Sequence, residues 1–254
     1  MIIKLIFIIL IVLLLLFSVS FWVAYRHTEP AYPALYRAGF WEYGKAPSVY
    51  EWFIKRLIDI VLSFIALVVL SPALLIIILL IYMDDPGRVF FTQERVGLGK
   101  KNFSLHKFRT MKLNTPHDVP THMLEDPDQY ITKLGRFLRR TSLDELPQIW
   151  DIFRGRMSIV GPRPALWNQY DLIEERDKYG ANYVMPGLTG LAQISGRDEL
   201  SIHAKSKLDG EYTEALKKSS LVGLRMDLKC FFGTILPVLR GKGVVEGKTE
   251  DNTP

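Results

Sequence analysis

The chain has 254 residues, 48% of them hydrophobic and 23% charged, with a formal net charge of +5 and one cysteine. This length suits one large domain or two small ones and supplies an ample core, and the apolar content excludes a disordered chain. The mean hydropathy of +0.11 comes from two bunched apolar stretches, which excludes a multi-span transporter, and the lone Cys230 excludes a disulfide framework or a multi-cysteine metal site and fits a reducing compartment.

The first stretch, residues 5–25, carries no charge and follows Lys4. At about 1.5 Å per residue it reaches across a bilayer core of roughly 30 Å. It reads as an uncleaved transmembrane anchor, with a cleaved signal peptide as the alternative. Its C-terminal flank holds Arg26, Arg37 and Lys45 against Lys4 alone, so the anchor is expected to run from outside to inside. Residues 26–54 are rich in proline and aromatics and read as an interfacial connector.

The second stretch, residues 58–83, has Ser71-Pro72 near its middle. Lys55 and Arg56 precede it, and Arg88, Arg95, Lys100, Lys101, Lys107 and Arg109 follow it. Basic flanks at both ends place both on one face of the membrane. A helix broken at Ser71 and Pro72, entering and leaving the same leaflet, satisfies this; a second spanning helix kinked at the proline is the alternative.

Residues 88–109 hold two strand-like runs around GLGKK, a predicted β-hairpin. Residues 113–130 read as a loop, with His117 and His122 on its surface. Helical patterns follow over 129–140, 166–179, 199–218 and 220–240, and the spaced glycines of MPGLTGLAQISGR predict a turn-rich loop. The last helix is basic with much apolar surface and suits either a membrane face or core packing. The expected organisation is a transmembrane anchor at 1–25, a connector at 26–54, a re-entrant helix-break-helix at 55–83, a cytosolic catalytic domain at 84–240 and a flexible tail at 241–254. The fold class is membrane-associated and mainly α, with a small β-hairpin and amphipathic interfacial helices.

The common nucleotide-loop, zinc-protease and hydrolase signatures are absent. The run Arg139-Arg140-Thr141-Ser142-Leu143-Asp144-Glu145-Leu146-Pro147-Gln148 stands out. Ser142 and Glu145 fit a capping box at a helix start. The same acids also suit a carboxylate nucleophile, Asp144, beside a magnesium ligand, Glu145. Arg136, Arg139, Arg140, Arg154, Arg156, Arg163 and Arg197 read either as a solvated basic face against anionic lipid or as a diphosphate clamp. Nucleic acid is a weak competitor, since a membrane anchor accounts for the charge.

Six motifs occur in one order: Lys55-Arg56-x-x-Asp59 before the Ser-Pro helix, KFRTM at 107–111, TSLDELPQ at 141–148, VGPRP at 160–164, PGLTG at 186–190, and Gln193 with Gly196-Arg197. In these the chain, over about residues 50–235, resembles the bacterial sugar transferases, the monotopic phosphoglycosyl transferases. The resemblance implies that Asp144 attacks the β-phosphate of a UDP-sugar, releases UMP and carries the sugar phosphate to a polyprenyl phosphate, most simply undecaprenyl phosphate. It implies Glu145 as a Mg2+ ligand and Lys107, Arg109, Arg139, Arg163, Gln193 and Arg197 as substrate-binding residues. It further implies a bacterial inner-membrane enzyme with a cytosolic active face, serving polysaccharide, O-antigen or glycoprotein glycan assembly beside downstream glycosyltransferases and as a homo-oligomer. Residues 1–25 with a short connector fit neither the smallest nor the largest architecture of that family. Two other functions compete: an inactive membrane scaffold for glycan assembly, and a glycosyltransferase that releases UDP.

Overall fold

A computed structural model describes residues 48–115, 129–196 and 199–239. The expected anchor at 1–25, most of the connector, His117, His122, Arg197 and the tail lie outside the described residues. The described part of the connector is helical: a π-helical turn, Tyr50–Ile54, runs directly into α1, Lys55–Asp84.

The expected break at Ser71 and Pro72 is not a break in the helix. α1 runs for 30 residues with Pro72 inside it, a length of about 45 Å. A proline costs a helix one backbone donor, and here the Ser71 hydroxyl, one residue earlier, donates to the Val68 carbonyl at 2.8 Å. Tyr50–Asp84 is the one helix among the described residues that is long and apolar enough to cross a membrane. Leu62, Ile65, Val68, Val69, Leu75, Ile76, Leu79 and Leu80 are all exposed on it, far more apolar surface than a water-facing helix presents.

Both ends of α1 are clasped by the rest of the chain. At the start, Lys55 Nζ meets Asp227 Oδ2 at 2.6 Å and the Ile159 amide donates to Asp59 Oδ1 at 2.9 Å. Arg56 donates to the Ile152 and Phe153 carbonyls at 2.7 and 2.9 Å. At the far end Arg109 binds both the carboxylate and the backbone carbonyl of Asp85, the residue that ends the helix. Apolar contacts follow the same two-ended plan: Ile60 packs with Phe153, and Ile77 and Ile81 pack with Phe108 and Leu138.

The hairpin forms as expected, β1 (Phe90–Val96) antiparallel to β2 (Asn102–Phe108), with Phe91 opposite Lys107. Then come α2 (Lys133–Arg140), a 3₁₀ turn at Leu143–Glu145 and α3 (Gln148–Phe153). The start of the segment expected as a turn-rich loop is instead paired: β3 (Ser158–Val160) lies parallel to β4 (Gly187–Thr189). Between them runs α4 (Tyr170–Asp177), and after them α5 (Leu191–Ser195), α6 (Ile202–Lys218) and α7 (Ser220–Leu239).

The main core gathers Tyr50, Val160, Val184, Leu191, Tyr212, Leu216 and Cys230. Asp227 of α7 is its polar centre, since it also accepts from Tyr50 at 2.6 Å and lies 2.8 Å from the Tyr212 hydroxyl. Buried charge persists only where it is paired and hydrogen-bonded, as this one is. α7 packs into the core through Asp227 and Cys230, which are buried, while Leu221, Leu228, Phe231, Phe232 and Ile235 are exposed.

Candidate active site

The Asp144-Glu145 pair sits on the 3₁₀ turn between α2 and α3. The capping box expected from Ser142 and Glu145 does not form. Ser142 adopts the left-handed conformation, φ 57°, and makes no side-chain cap bond. For a residue with a Cβ that conformation costs about 1 kcal/mol, and such strain gathers at functional sites. The turn displays its two acids rather than spending them on backbone amides; capping falls to Thr132, which accepts from the Gly135 amide at the start of α2.

The two carboxylates, adjacent in sequence, have opposite surroundings. Glu145 is gripped twice: Lys107 Nζ donates to Oε1 at 2.9 Å, and Arg163 reaches the same oxygen at 2.5 Å. Burial alone would raise its pKa, but Arg163 and Lys107 outweigh burial and hold the carboxyl well below the usual range. Asp144 is buried, 8% exposed, yet accepts no hydrogen bond among the described residues; its nearest cation is Lys107, 3.7 Å from Oδ2. Burial pushes its carboxyl above the ordinary value, Lys107 pulls it back, and the Glu145 charge adds to the rise. Arg139 and Arg163 lower it further. One acid is therefore a fixed anion and the other a shielded carboxylate with open lone pairs.

Each cation is placed by a different element. Lys107 comes from β2, near its end. Arg139 lies in the last turn of α2 and donates through Nε to Thr110 Oγ1 at 2.8 Å. α2 can lie that close because Gly135 has no side chain: a Cβ there would stand 2.0 Å from the Thr110 carbonyl oxygen. Arg163 follows β3 in the Gly161-Pro162-Arg163-Pro164 loop. That loop is stapled to the Pro186-Gly187 strand by Gly161 N to Thr189 O at 2.7 Å and Gly187 N to Pro162 O at 2.9 Å. A Cβ on Gly187 would stand 2.0 Å from the Gly161 nitrogen, so the two backbones touch with no side chain between them. The VGPRP and PGLTG motifs are thus one device for aiming Arg163.

Of the expected substrate-binding residues, the fold brings Lys107, Arg139 and Arg163 to the carboxylates. Arg109 goes elsewhere, buried on Asp85, because the end of a 30-residue helix needs donors for its last carbonyls. Gln193 lies on α5, buried, with both amide atoms lacking a partner among the described residues; its oxygen stands near Gly190. Ser71 and Pro72 are on the exposed middle of α1. Thr110 and Ser142 were not expected at the site. Thr110 was visible only as part of KFRTM, and nothing in sequence marks the left-handed turn at Ser142.

Among the described residues no group of three or more His, Cys, Asp or Glu side chains converges. Magnesium ordinarily takes one or two protein carboxylates, its other ligands being water and phosphate. Adjacent Asp144 and Glu145, with the Asp144 oxygens free of hydrogen-bond donors, fit that requirement.

Comparison with known proteins shows the family. Residues 50–241 match the family model described as bacterial sugar transferase. The UDP-glucose:undecaprenyl-phosphate glucose-1-phosphate transferases of Xanthomonas campestris pv. campestris and Escherichia coli (strain K12) are 44% and 43% identical over 144 and 145 residues. Those alignments cover 56% of this chain and 30% and 31% of the relatives. The exopolysaccharide production protein ExoY of Sinorhizobium fredii (strain NBRC 101917 / NGR234) is 34% identical over 203 residues, 74% of this chain and 87% of that protein. The chain spans less than half the length of the longer curated relatives it matches. With its motifs in order and the family model matched over residues 50–241, the chain belongs to the bacterial sugar transferase family.

Proposed function

We propose that this protein is a phosphoglycosyl transferase that moves a sugar-1-phosphate from a UDP-sugar to undecaprenyl phosphate through a covalent Asp144 intermediate. The observation that carries this reading is the contrast between the two carboxylates. Glu145 is locked to Lys107 and Arg163, while Asp144 is shielded from water and accepts no hydrogen bond among the described residues. A nucleophile needs the second environment.

In the first step an Asp144 oxygen attacks the β-phosphorus of the donor. The bond from that phosphorus to the bridging oxygen breaks, the electron pair leaves on UMP, and an acyl phosphate holds the sugar. A phosphate oxygen of the lipid then attacks the same phosphorus, the bond to Asp144 breaks, and the carboxylate returns as the polyprenyl diphosphate-linked sugar departs. Lys107, Arg139 and Arg163 oppose the negative charge that gathers on phosphate oxygens in both steps. Adjacent Glu145 and Asp144 would hold Mg2+, which would supply additional charge neutralisation for the diphosphate. Gln193 and Arg197 belong to the donor-binding side in this reading.

The lipid acceptor fixes where the reaction happens. Because Lys55, Arg56 and Asp59 at one end of α1 and Asp85 at the other are bound to the same polar body, the helix serves best as an unbroken monotopic element with both ends on one face. The exposed apolar middle then lies in one leaflet, and the carboxylates sit at headgroup level on the cytosolic side of the inner membrane, where UDP-sugars are found.

The test is nucleotide release. Membranes carrying the wild-type chain or Asp144→Asn receive undecaprenyl phosphate, Mg2+ and a panel of UDP-sugars. UMP from the wild type alone is expected, and UDP in its place would overturn the mechanism. No nucleotide from any donor would favour the scaffold reading.

A further inference from the structure

Beside the carboxylates lies a small cavity, about 10 Å³, lined by Arg95, Leu105, Lys107, Gln148, Arg163 and Pro164. Its size admits one water-sized atom and no more. The elements already described converge on it. Gln148 follows Glu145 by three residues and Asp144 by four, a spacing that puts all three on one side of the turn and helix. Leu105 and Lys107 share a face of β2 because side chains alternate along a strand.

Four of the six lining residues carry hydrogen-bond donors: an ammonium, two guanidinium groups and an amide. Two of those donors are buried and have no acceptor among the described residues, Gln148 Nε2 and Arg95 Nε. Gln148 is 1% exposed. Arg95 is held still by its other nitrogens, which donate to the Pro164 carbonyl at 3.0 Å and to Gln93 Oε1 at 2.7 Å. A buried donor without an acceptor is destabilising, and such groups in native folds call for a specific account. Fixed donors beside a space one oxygen wide can stabilise charge that develops on an oxygen placed there.

We propose that Gln148 Nε2 and Arg95 Nε form an oxygen-binding hole that receives one non-bridging oxygen of the phosphoryl group attacked by Asp144. The inference rests on the phosphoglycosyl reading above and adds two catalytic residues to it. Lys107 and Arg163 set the charge around the hole, and the Gln148 amide, being neutral, sets its shape.

Sulfur substitution tests it. The full chain in detergent is given undecaprenyl phosphate, Mg2+, UDP-glucose or UDP-galactose, and the two β-phosphorothioate diastereomers of each, with UMP as the readout. In the wild type, sulfur in the hole is expected to slow one diastereomer on the order of 10²-fold, since it is larger than oxygen and a poorer acceptor. Gln148→Ala removes the donor and widens the hole. It should slow the oxygen donor by a similar factor, while the oxygen-to-sulfur rate ratio for that diastereomer falls toward one.

A rate loss in Gln148→Ala with the wild-type ratio unchanged would make Gln148 a packing residue and overturn the proposal. If Gln148→Ala does not fold, Arg95→Lys keeps the charge, loses Nε and must lower the same ratio. No UMP from the wild type with either donor would remove the phosphoryl group the hole is argued to hold, and with it the proposal. That failure of the parent reading appears before any variant is made.

Discussion

Lys107 is the main influence keeping the buried Asp144 carboxyl from rising further, so Lys107→Met should disturb the pH dependence of the first step. The Nζ to Oδ2 separation is 3.7 Å, with side chains 19% and 11% exposed. At that distance and an effective dielectric of about 20 the attraction is about 4 kcal/mol. Arg139 and Arg163 remain and solvent enters the gap, so about half of this is lost. At 1.36 kcal/mol per unit, the acid limb of kcat/KM should move upward by about 1–2 pH units. The sign follows from the proposed chemistry: as the nucleophile Asp144 would act ionised, and losing a cation favours its protonated form. The assay is initial UMP release from pH 5 to 9, with Lys107→Arg as the control that keeps the charge and should leave the limb within about half a unit. A limb that stays in place in Lys107→Met, or moves to lower pH, would refute the assignment of Lys107 as the cation that tunes Asp144.

Four further outcomes are expected. Gly187→Ala forces a Cβ into the Gly161 backbone; overpacking of this kind costs about 1–3 kcal/mol, and the displaced Arg163 should lower UMP release about 10²-fold, read together with a thermal melt. Ser142→Gly relieves a left-handed residue and should keep full activity, whereas the β-branched Ser142→Val should lose both melting temperature and rate. Arg109→Met should lower stability by about 1.5–3 kcal/mol, the worth of charge-assisted bonds, while leaving KM for the UDP-sugar unchanged, because Arg109 serves Asp85. Glu145 has a depressed carboxyl pKa, so its stabilising effect is present above the ordinary glutamate range and lost as pH falls through the folded value. The melting difference between wild type and Glu145→Gln should therefore shrink on acidification, and a difference that grows would contradict the clamp.

How much of this was legible in sequence depended on the range of each interaction. The hairpin and the long helices are written in local period and were readable. The short pair β3 and β4 was not, since three-residue strands carry no period and their glycines, read locally, signal turns. Those glycines are there for backbone contact across the loop, as Gly187 against Gly161 shows. The basic residues before α1 suggested a topology signal, but the contacts they make in the fold were hidden. Lys55 and Arg56 are also clasps, with partners 172 and 96 residues away. The proline raised an expectation of a broken helix, yet the hydrogen-bonded helix continues past it.

The same limit of range explains the carboxylates. In sequence Asp144 and Glu145 are equivalent neighbours, and a capping box accounts for them as well as catalysis does. Their difference is made by Lys107, 38 positions before Glu145, and Arg163, 18 after it. It is also made by a turn whose left-handed residue withholds both acids from the helix end. Each motif taken alone therefore has a structural explanation: a clasp for the Lys-Arg-Asp run, a strand end for KFRTM, and a backbone staple for VGPRP with PGLTG. Their order identifies the family because these local devices, set far apart in the chain, deliver Lys107, Arg139 and Arg163 to the same two carboxylates.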